Sequence, residues 1–385
     1  MNDMNVLFLT MNPNRQSTTV PTEGWFRFLP ERGLRPVLVS QESGVFHEWV
    51  VEQGIPAYQD SLPIPSKGNP FPFFRSLWHL RKIVRRHRIE LIHCNEQNIY
   101  PMGQYLARNC RLPVVVSVHC RMAPGFSRWA FRGKRCPDRI FFISRGNMEA
   151  CREGVADCIP ESRWRLLYNG LNLDQFVPSE VEGDRFRHEH NLGSGILIGV
   201  ACALRPGKQL EHAFEAAARI DSADFRFVLA GGPISGLEEY GESVLARGRE
   251  LLGNRLVHLG HIRDMQGFYN ALDLCVNASE GEACSISILE SLACACPVVG
   301  YPSISVHEQV LPDGGEIVEQ DNIDELTAAI QRWTHDRDWL KAQRPSARKQ
   351  AERFDLKTLS YQLWDEYRDV LAERNRKSVK AASTL

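Results

Sequence analysis

The chain has 385 residues, of which 43% are hydrophobic and 24% charged, a globular composition with room for two domains of ordinary size. Its longest apolar run, residues 195–204, is about half a membrane span, and its eleven cysteines lack metal-ligand spacing, so we expect neither an integral membrane protein nor a zinc domain. The net charge of −1 is unevenly distributed: residues 1–176 carry +8 and the remainder −9. The basic half is either an ordinary surface or a surface for an anionic partner such as a lipid headgroup.

The first half alternates apolar runs with amphipathic stretches. Continuous apolar runs are typical of buried parallel strands. We predict strands at residues 6–10, 35–40, 91–94, 113–119, 139–144 and 165–170. We predict helices at residues 24–32, 45–53, 73–88 and 100–109. The N-terminus has no basic flank followed by a long apolar core, so it does not resemble a signal peptide.

The polar residues 174–194 are predicted to be a linker, after which the alternation resumes. Strands are predicted at 196–203, 226–230, 256–259, 274–277 and 298–299. Helices are predicted at 211–220, 238–252, 265–271, 282–294, 322–334 and 336–371. The polar tail 374–385 is predicted to fray. The sequence therefore predicts an α/β protein of two doubly wound domains, with ligand at the carboxyl ends of the sheets.

Two carboxylates, Glu282 and Glu290, lie eight positions apart around the predicted start of a helix. Free N–H groups of a loop and first helical turn bind anions, so the backbone of Ala283, Cys284 and Ser285 is a candidate phosphate or sugar contact. A local alternative is that Ser287 and Glu290 form a capping box. This pattern favours a ligand that carries both phosphate and hydroxyl groups.

The segment from Glu282 to Glu290, continuing into Pro297-Val298-Val299, resembles the Glu-x7-Glu motif of glycosyltransferase family 4. Further matches lie at 229–233, 259–261, 168–170 and 118–119. The resemblance implies the GT-B fold, two tandem Rossmann-like domains facing an interdomain cleft. It implies an acceptor-binding domain at 1–176, a nucleotide-sugar domain at 177–353, a helix at 354–373 crossing back to the first domain, and the tail at 374–385.

The resemblance also implies roles for individual residues. Lys208 and Arg205 would neutralise the departing diphosphate, Glu290 would bind the ribose, and Glu282 would position the transferred sugar. His119, at a predicted strand end, would hydrogen-bond the donor sugar, although a lone histidine there also fits a core position. Gly231 and Gly232 follow a strand and fit either a close approach to phosphate or a plain turn.

Two positions depart from the family pattern. Ala203 stands where similar enzymes carry an arginine, which motivates the alternative of a catalytically impaired subunit that binds a sugar nucleotide or glycan. The first loop, residues 11–19, replaces a Gly-Gly loop, and its Arg15 is a candidate contact for an anionic acceptor. Because no Gly-x-Gly-x-x-Gly follows a strand, a nicotinamide enzyme is disfavoured.

The sequence thus predicts a retaining hexosyltransferase that uses a nucleotide-sugar co-substrate, most simply a UDP-sugar, and a glycan or lipid-linked acceptor in cell-surface polysaccharide or glycoconjugate synthesis. No cofactor or metal is implied, and Asp336-Arg337-Asp338 is interpreted as a solvated face. Helix 75–88, rich in arginine, fits either a surface helix or contact with the inner membrane surface. Nucleic acid is not an expected partner, and the expected location is cytoplasmic, with peripheral membrane contact as an option.

Overall fold

The computed structural model describes residues 3–14, 18–65, 68–221 and 224–382, with side chains as far as residue 376. The chain divides into two compact units. The N-terminal unit comprises Met1–Gly170 and Leu356–Leu385, and the C-terminal unit comprises Leu171–Asp355. Each unit is built on one parallel β-sheet. Within the described ranges, no helix is both long and apolar enough to cross a bilayer.

The N-terminal unit contains a seven-stranded sheet. Its strands are β1 (Met4–Thr10), β2 (Leu34–Ser40), β3 (Ala57–Gln59), β4 (Leu91–Cys94), β5 (Val114–Val118), β6 (Arg139–Phe142) and β7 (Trp164–Leu166). Its first helices are α1 (Val20–Phe28), α2 (Val45–Glu52), α3 (Phe71–Arg86), α4 (Tyr100–Cys110), α5 (Pro124–Phe131) and α6 (Arg145–Val155). The strand order is β3-β2-β1-β4-β5-β6-β7.

The C-terminal unit contains a six-stranded sheet. Its strands are β8 (Ile196–Ala201), β9 (Phe225–Ala230), β10 (Leu256–Gly260), β11 (Leu274–Asn277), β12 (Val298–Gly300) and β13 (Gly315–Ile317). Its helices are α7 (Glu180–Glu189), α8 (Leu210–Ala218), α9 (Glu238–Leu252), α10 (Met265–Ala271), α11 (Ile286–Ala293), α12 (Val306–Val310), α13 (Ile323–Thr334) and α14 (Arg337–Glu352). The order is β10-β9-β8-β11-β12-β13. The last helix, α15 (Leu356–Ala382), belongs to the N-terminal unit.

The two sheets share the strand order of a doubly wound α/β fold, which confirms the predicted fold class. In one sheet β1 pairs with both β2 and β4, and in the other β8 pairs with both β9 and β11. From β1 and from β8 the chain first adds strands on one side of the sheet and later adds strands on the other side. Ligands of such sheets bind at this reversal, outside the carboxyl ends of the strands.

The N-terminal sheet is covered on both faces, as the alternation along β1 requires. Leu7 and Leu9 pack in a cluster with side chains of α3 and α4. Val6 and Phe8 pack in a second cluster with α1 and α15. Helix α15 is further fixed by Arg139, which is 4% exposed and pairs with Glu366 and Glu373. The last helix is therefore an integral layer of the N-terminal unit.

The structure corrects three expectations at element boundaries. The predicted linker 174–194 contains α7, capped by Ser179 and buried through Phe186. The predicted helix 336–371 is two helices, α14 and α15, and α15 continues through the tail to Ala382. The short elements β3, α5, α6, α12 and β13 have no counterpart in the prediction.

Gly24 of α1 tests the packing of α15, because a Cβ at this glycine would lie 2.2 Å from Leu356 Cδ2. We expect Gly24→Ala to lower the free energy of unfolding by about 1–3 kcal/mol through overpacking. Without this contact, an alanine inside a helix would instead stabilise it by up to about 1 kcal/mol.

Urea unfolding of four variants measures the contact. Gly125 of α5 is the matched control, because its Cβ would meet nothing within 4 Å. The double variant Gly24→Ala/Leu356→Ala should recover part of the loss in a double-mutant cycle. If the effects of Gly24→Ala and Leu356→Ala on the free energy of unfolding are additive, α1 and α15 do not approach each other this closely.

Candidate functional site

The strand-order reversal of the C-terminal sheet carries a loop rich in cationic side chains. Strand β8 ends at Ala201, Arg205 is extended, and Pro206–Lys208 forms a single 3-10 turn. The Glu280 N–H donates to the carbonyl of Gly207 at 2.9 Å, which ties this loop to the one that follows β11. The two loops that flank the reversal are thus held together.

Three of the predicted site residues meet at this point. Lys208 Nζ forms an ion pair with Glu282 Oε1, and Arg205 Nη2 lies 3.7 Å from the same oxygen. The side chains of Lys208 and Glu282 are each 13% exposed, whereas Arg205 is 43% exposed. Two cations thus share one carboxylate in a partly desolvated cluster, which leaves a local surplus of positive charge. Such a surplus favours an anionic ligand.

The thiol of Cys202, beside this cluster, is not a candidate nucleophile. Burial raises its pKa to about 12, so the thiolate is scarcely populated at neutral pH. Lys208 opposes the shift, but desolvation is the larger effect. The cluster is therefore suited to stabilising charge rather than to covalent catalysis.

The loop that leads into α11 is fixed from behind by residues of the following loop and α12. The Glu282 N–H donates to Ser303 Oγ at 2.6 Å, and the Ser285 N–H donates to Gln309 Oε1 at 2.9 Å. Gln309 also donates to the Ser285 carbonyl at 3.0 Å. The expectation that the Ser285 amide faces a ligand is thus wrong for this structure, because Gln309 already occupies it. Ala283 and Cys284 lie between these anchors and are buried.

The alternative interpretation of Ser287 and Glu290 as a capping box is wrong. Helix α11 begins at Ile286 with Ser285 as its N-cap, so Ser287 is the second helical residue and does not cap. Its hydroxyl instead lies 3.0 Å from that of Ser285. Glu290 is half-buried in the second turn of α11. The role of Glu290 in nucleotide binding stays a prediction.

The glycine pair that follows β9 has a packing explanation. Gly231 has φ +125°, and a Cβ there would lie 1.8 Å from the Cys202 carbonyl oxygen. At Gly232 a Cβ would lie 2.7 Å from His261 Nε2. The Gly231 N–H already donates to Gly260 at 2.7 Å. Close approach of neighbouring loops thus accounts for both glycines, and contact of Gly231 and Gly232 with a ligand stays a prediction.

His119 follows β5 in the N-terminal unit, at the carboxyl edge of that sheet. Both ring nitrogens are buried, and neither has a hydrogen-bond partner among the described residues. Burial lowers the pKa of His119 to about 4, so the ring is neutral at physiological pH. The backbone of Asn95 nevertheless lies near enough to the ring to oppose this lowering of the pKa. Contact of His119 with a ligand hydroxyl therefore stays a prediction.

Glu96 lies at the strand-order reversal of the N-terminal sheet, and the sequence analysis missed it. Its carboxylate accepts from Thr10 Oγ1 at 2.7 Å and from the Met11 N–H at 3.0 Å. Burial raises the pKa of Glu96 from 4.5 to about 7, and the hydrogen bond from Thr10 opposes this. The signal was present in the sequence, because Asn95, Glu96 and Gln97 are polar residues directly after a buried strand.

Two candidates remain, the Asp336-Arg337-Asp338 motif and Arg15. Asp336 is the N-cap of α14 and accepts from the N–H groups of Asp338 and Trp339, so its motif has a local structural role. Arg15 lies outside the described residues. Among the residues described, no three His, Cys, Asp or Glu side chains come together in a way that could hold a metal ion.

Comparison with known proteins identifies the protein family to which this fold and this charged cluster belong. Residues 25–175 match the family model "Glycosyltransferase Family 4", and residues 195–336 match "Glycosyl transferases group 1". The structure superposes on HepE of Anabaena, crystallised with UDP, with a TM-score of 0.83 at 19% identity, over 95% of this chain and 100% of that one.

Two curated relatives also match the chain, at slightly higher sequence identity. The alpha-monoglucosyldiacylglycerol synthase of Streptococcus pneumoniae is 22% identical over 300 residues, 70% of this chain and 66% of the relative. An Escherichia coli enzyme, UDP-Gal:alpha-D-GlcNAc-diphosphoundecaprenol alpha-1,3-galactosyltransferase, is 23% identical over 334 residues, 81% of this chain and 83% of the relative. The chain belongs to glycosyltransferase family 4 and has the GT-B fold.

Glu96 gives a pH-dependent prediction. Because its pKa is raised from 4.5 to about 7 on folding, the folded state binds a proton more tightly than the unfolded state between these values. The stability it contributes is complete below pH 4.5 and falls as the pH rises to 7, by at most about 3 kcal/mol. Glu96→Gln should remove this fall, since an amide can donate to Thr10 Oγ1 and accept from Met11.

The measurement is the difference in urea midpoint between wild type and Glu96→Gln from pH 4 to 8. The exposed Glu153 of α6 provides the control Glu153→Gln. If the curves for wild type and Glu96→Gln run parallel, Glu96 ionises normally and the buried position is wrong.

Proposed function

We propose that the protein is a retaining glycosyltransferase that moves a hexose from a UDP-sugar to a glycan or lipid-linked acceptor. The observation that carries the proposal is the cluster of Lys208, Arg205 and Glu282 at the strand-order reversal of the C-terminal sheet. The diphosphate of a nucleotide-sugar would neutralise the surplus positive charge of this cluster. HepE in complex with UDP and with UDP-glucose supports the choice of donor.

The chemistry requires stabilisation of a leaving diphosphate. The bond between the anomeric carbon and the β-phosphate oxygen breaks, and a bond to the acceptor oxygen forms on the same face. The acceptor hydroxyl proton passes to the departing phosphate oxygen. Lys208 and Arg205 offset the negative charge that develops on the diphosphate, in a crevice where water is partly excluded.

Glu282 has two tasks in this proposal. Before the donor binds, its carboxylate pairs with Lys208 and holds the ammonium group in the crevice. Once the diphosphate takes over that ion pair, the carboxylate accepts hydrogen bonds from hydroxyls of the transferred sugar. Glu290 accepts from the ribose hydroxyls, and His119 supplies a neutral ring for a substrate hydroxyl.

The substitution at Ala203 does not by itself favour an inactive protein. Beyond β8 the chain stays hydrogen-bonded to the segment that follows β9 as far as Leu204. Arg205, the next residue, reaches to within 3.7 Å of Glu282. Arg205 thereby provides the second cation that the family places at position 203. The alternative, a sugar-nucleotide-binding or glycan-binding subunit without turnover, is distinguished by assaying donor hydrolysis in the absence of acceptor.

The acceptor class rests on relatives rather than on the site. The name of one curated relative contains the glycolipid monoglucosyldiacylglycerol, and the name of the other contains the lipid-linked sugar GlcNAc-diphosphoundecaprenol. We therefore propose an acceptor carried on a lipid or glycan of cell-surface biosynthesis. All eleven cysteines are free thiols, which is usual in a reducing compartment, and we place the protein in the cytoplasm.

Variants at Lys208 and Glu290 separate the two roles assigned to them. Lys208→Ala should lower kcat by about 100-fold or more, because one charge-stabilising donor is lost in the transition state. Glu290→Ala should weaken UDP binding by about 10–100-fold, the equivalent of about 1.5–3 kcal/mol for hydrogen bonds to a charged group.

Calorimetry with UDP and an initial-rate assay over a panel of UDP-sugars provide the two readouts. Glu280→Ala is the matched control, because Glu280 is an exposed glutamate two residues before Glu282. Absence of UDP binding to the wild-type protein would refute the proposed function. If Lys208→Ala and Glu280→Ala lower kcat equally, Lys208 does not have the proposed role.

We further propose that α3 contacts an anionic membrane surface. Its inner side packs on the sheet through Leu77, Leu80 and neighbours, so the helix has an ordinary structural role as well. Its outer side exposes Phe71, Phe74 and Trp78 by 71%, 60% and 59%. The helix has basic residues and no acid, and Lys82 lies 3.2 Å from the Trp78 ring centroid. Aromatic and cationic groups on one face suit a bilayer interface with anionic lipid.

Flotation with vesicles of phosphatidylcholine and phosphatidylglycerol tests this contact. Phe74→Ala/Trp78→Ala should lower the partition coefficient by about 30-fold or more, because two buried rings each contribute about 1–2 kcal/mol. Val45→Ala/Val51→Ala is the control, since these α2 side chains are 63% and 53% exposed. Binding that is the same for both double variants, or insensitive to salt, would contradict the proposal.

A further inference from the structure

A second crevice lies in the N-terminal unit, at the edge of the sheet opposite His119 and Glu96. It is a cavity of about 680 Å³, and its lining includes Val114 at the start of β5 and Asp138 just before β6. These positions are the amino ends of the strands. The cavity is therefore separate from the carboxyl edge at which ligands of such sheets bind, and the proposed transfer reaction does not use it.

The wall of this cavity is strongly cationic. Five of its lining side chains are basic and one is acidic: Arg108, Arg111, Lys134, Arg163, Arg374 and Asp138. Asp138 is already engaged, because its Oδ2 accepts from the Val114 N–H at 2.9 Å. Four of the cations, Arg108, Arg111, Lys134 and Arg163, form no ion pair with a carboxylate in the described part of the chain.

The hydrogen bonds that hold Arg163 go to neutral acceptors. Its Nη1 donates to the Pro137 carbonyl at 2.7 Å and to Cys136 Sγ at 3.2 Å. These contacts orient the guanidinium group of Arg163 without neutralising it. The four cations that form no ion pair thus give the cavity an excess of positive charge, which attracts anions.

The floor of the cavity supplies an independent observation. Gln104 of α4 is 2% exposed, and its Nε2 and Oε1 are both buried with no partner in the described part of the chain. A buried carboxamide with neither its donor nor its acceptor satisfied is unfavourable and rare. A bound molecule that brings one acceptor and one donor would satisfy both atoms.

The helix dipole offers a simpler explanation for Arg108, but not for the rest of the cavity. It is the basic residue of the last turn of α4, where a cation favours the negative end of the helix dipole. This accounts for Arg108 but not for Lys134 or Arg163, which lie on other segments. It also leaves the Gln104 carboxamide unexplained.

We propose that this cavity binds a phosphate ester that carries a hydroxyl group. Arg108, Arg111 and Lys134 contact the phosphate, since guanidinium forks match its oxygens. Gln104 Nε2 donates to a phosphate oxygen, and Gln104 Oε1 accepts from the hydroxyl. A free phosphorylated polyol and the headgroup of a phospholipid such as phosphatidylglycerol share this chemistry.

The test uses the full-length chain labelled with ¹⁵N and titrated with sn-glycerol 3-phosphate, with UDP present so that the donor site is occupied. The side-chain amide resonances of Gln104, identified by their loss in Gln104→Leu, should move at millimolar ligand. Arg108→Gln/Lys134→Gln should weaken this binding by about tenfold or more, the loss of two charge-assisted contacts. Arg249→Gln/Lys349→Gln removes the same charges from exposed helical positions and should bind as wild type does.

A vesicle arm separates the two sources of the ligand. If flotation on phosphatidylglycerol vesicles depends on Arg108 and Lys134 while glycerol phosphate leaves Gln104 unmoved, the ligand is a lipid headgroup. If glycerol phosphate shifts the Gln104 resonances and flotation does not depend on Arg108 and Lys134, the ligand is a free metabolite. Gln104→Leu, which keeps the side-chain size, should stay folded and melt no lower than wild type, because an unsatisfied amide is removed.

Three outcomes would overturn the proposal. The first is that neither ligand source depends on Arg108 and Lys134. The second is that the control double variant weakens binding equally. The third is that Gln104→Leu lowers the melting temperature markedly, which would mean that the carboxamide has protein partners after all.

Discussion

The reversal of strand order at the centre of each sheet is the constraint on which the rest of the structure depends. Strand β8 pairs with β9 on one side and β11 on the other, so the loops that leave the carboxyl ends of β8 and β11 lie side by side, joined by the hydrogen bond from Glu280 to Gly207. Lys208 lies on the first of these loops and Glu282 on the second. Residues 74 positions apart in sequence therefore meet because of topology. Packing of Gln309 against Ser285 then fixes the second loop.

The two reversals each hold a carboxylate, but in different electrostatic environments. Glu282 pairs with Lys208 and has a second cation nearby, so its negative charge is compensated within the crevice. Glu96 is held by a hydroxyl and backbone N–H groups, which are neutral, and burial therefore raises its pKa to about 7. The first environment suits recognition of an anion that replaces the carboxylate as partner of Lys208. The second suits a group that gains and loses a proton near neutrality.

The sequence predicted those features that depend on local periodicity. The bounds of α9, α10 and β11 were predicted to the residue, because each is a clear apolar pattern. Helix α7 was missed because its burial rests largely on Gly183 and Phe186, too little to reveal a period. The capping box at Ser287 failed because the start of α11 is fixed by Gln309, a contact between distant segments. The polar run that follows β4 was a signal for Glu96, but the desolvation that raises its pKa depends on distant segments and is not visible in the local sequence.

The basic character of the first half follows from where its charges lie. The balance of +8 over residues 1–176 could have been spread evenly, and then it would indicate only solubility. Instead, the cations concentrate on the outer face of α3 and around the cavity at the amino ends of β5 and β6. The cavity lies at the edge opposite His119, whereas the first turns of α3 lie beside Gln41 and Gln59, at the carboxyl ends of β2 and β3. The cavity thus places its attraction for an anionic ligand at the edge opposite the one that holds the neutral imidazole of His119.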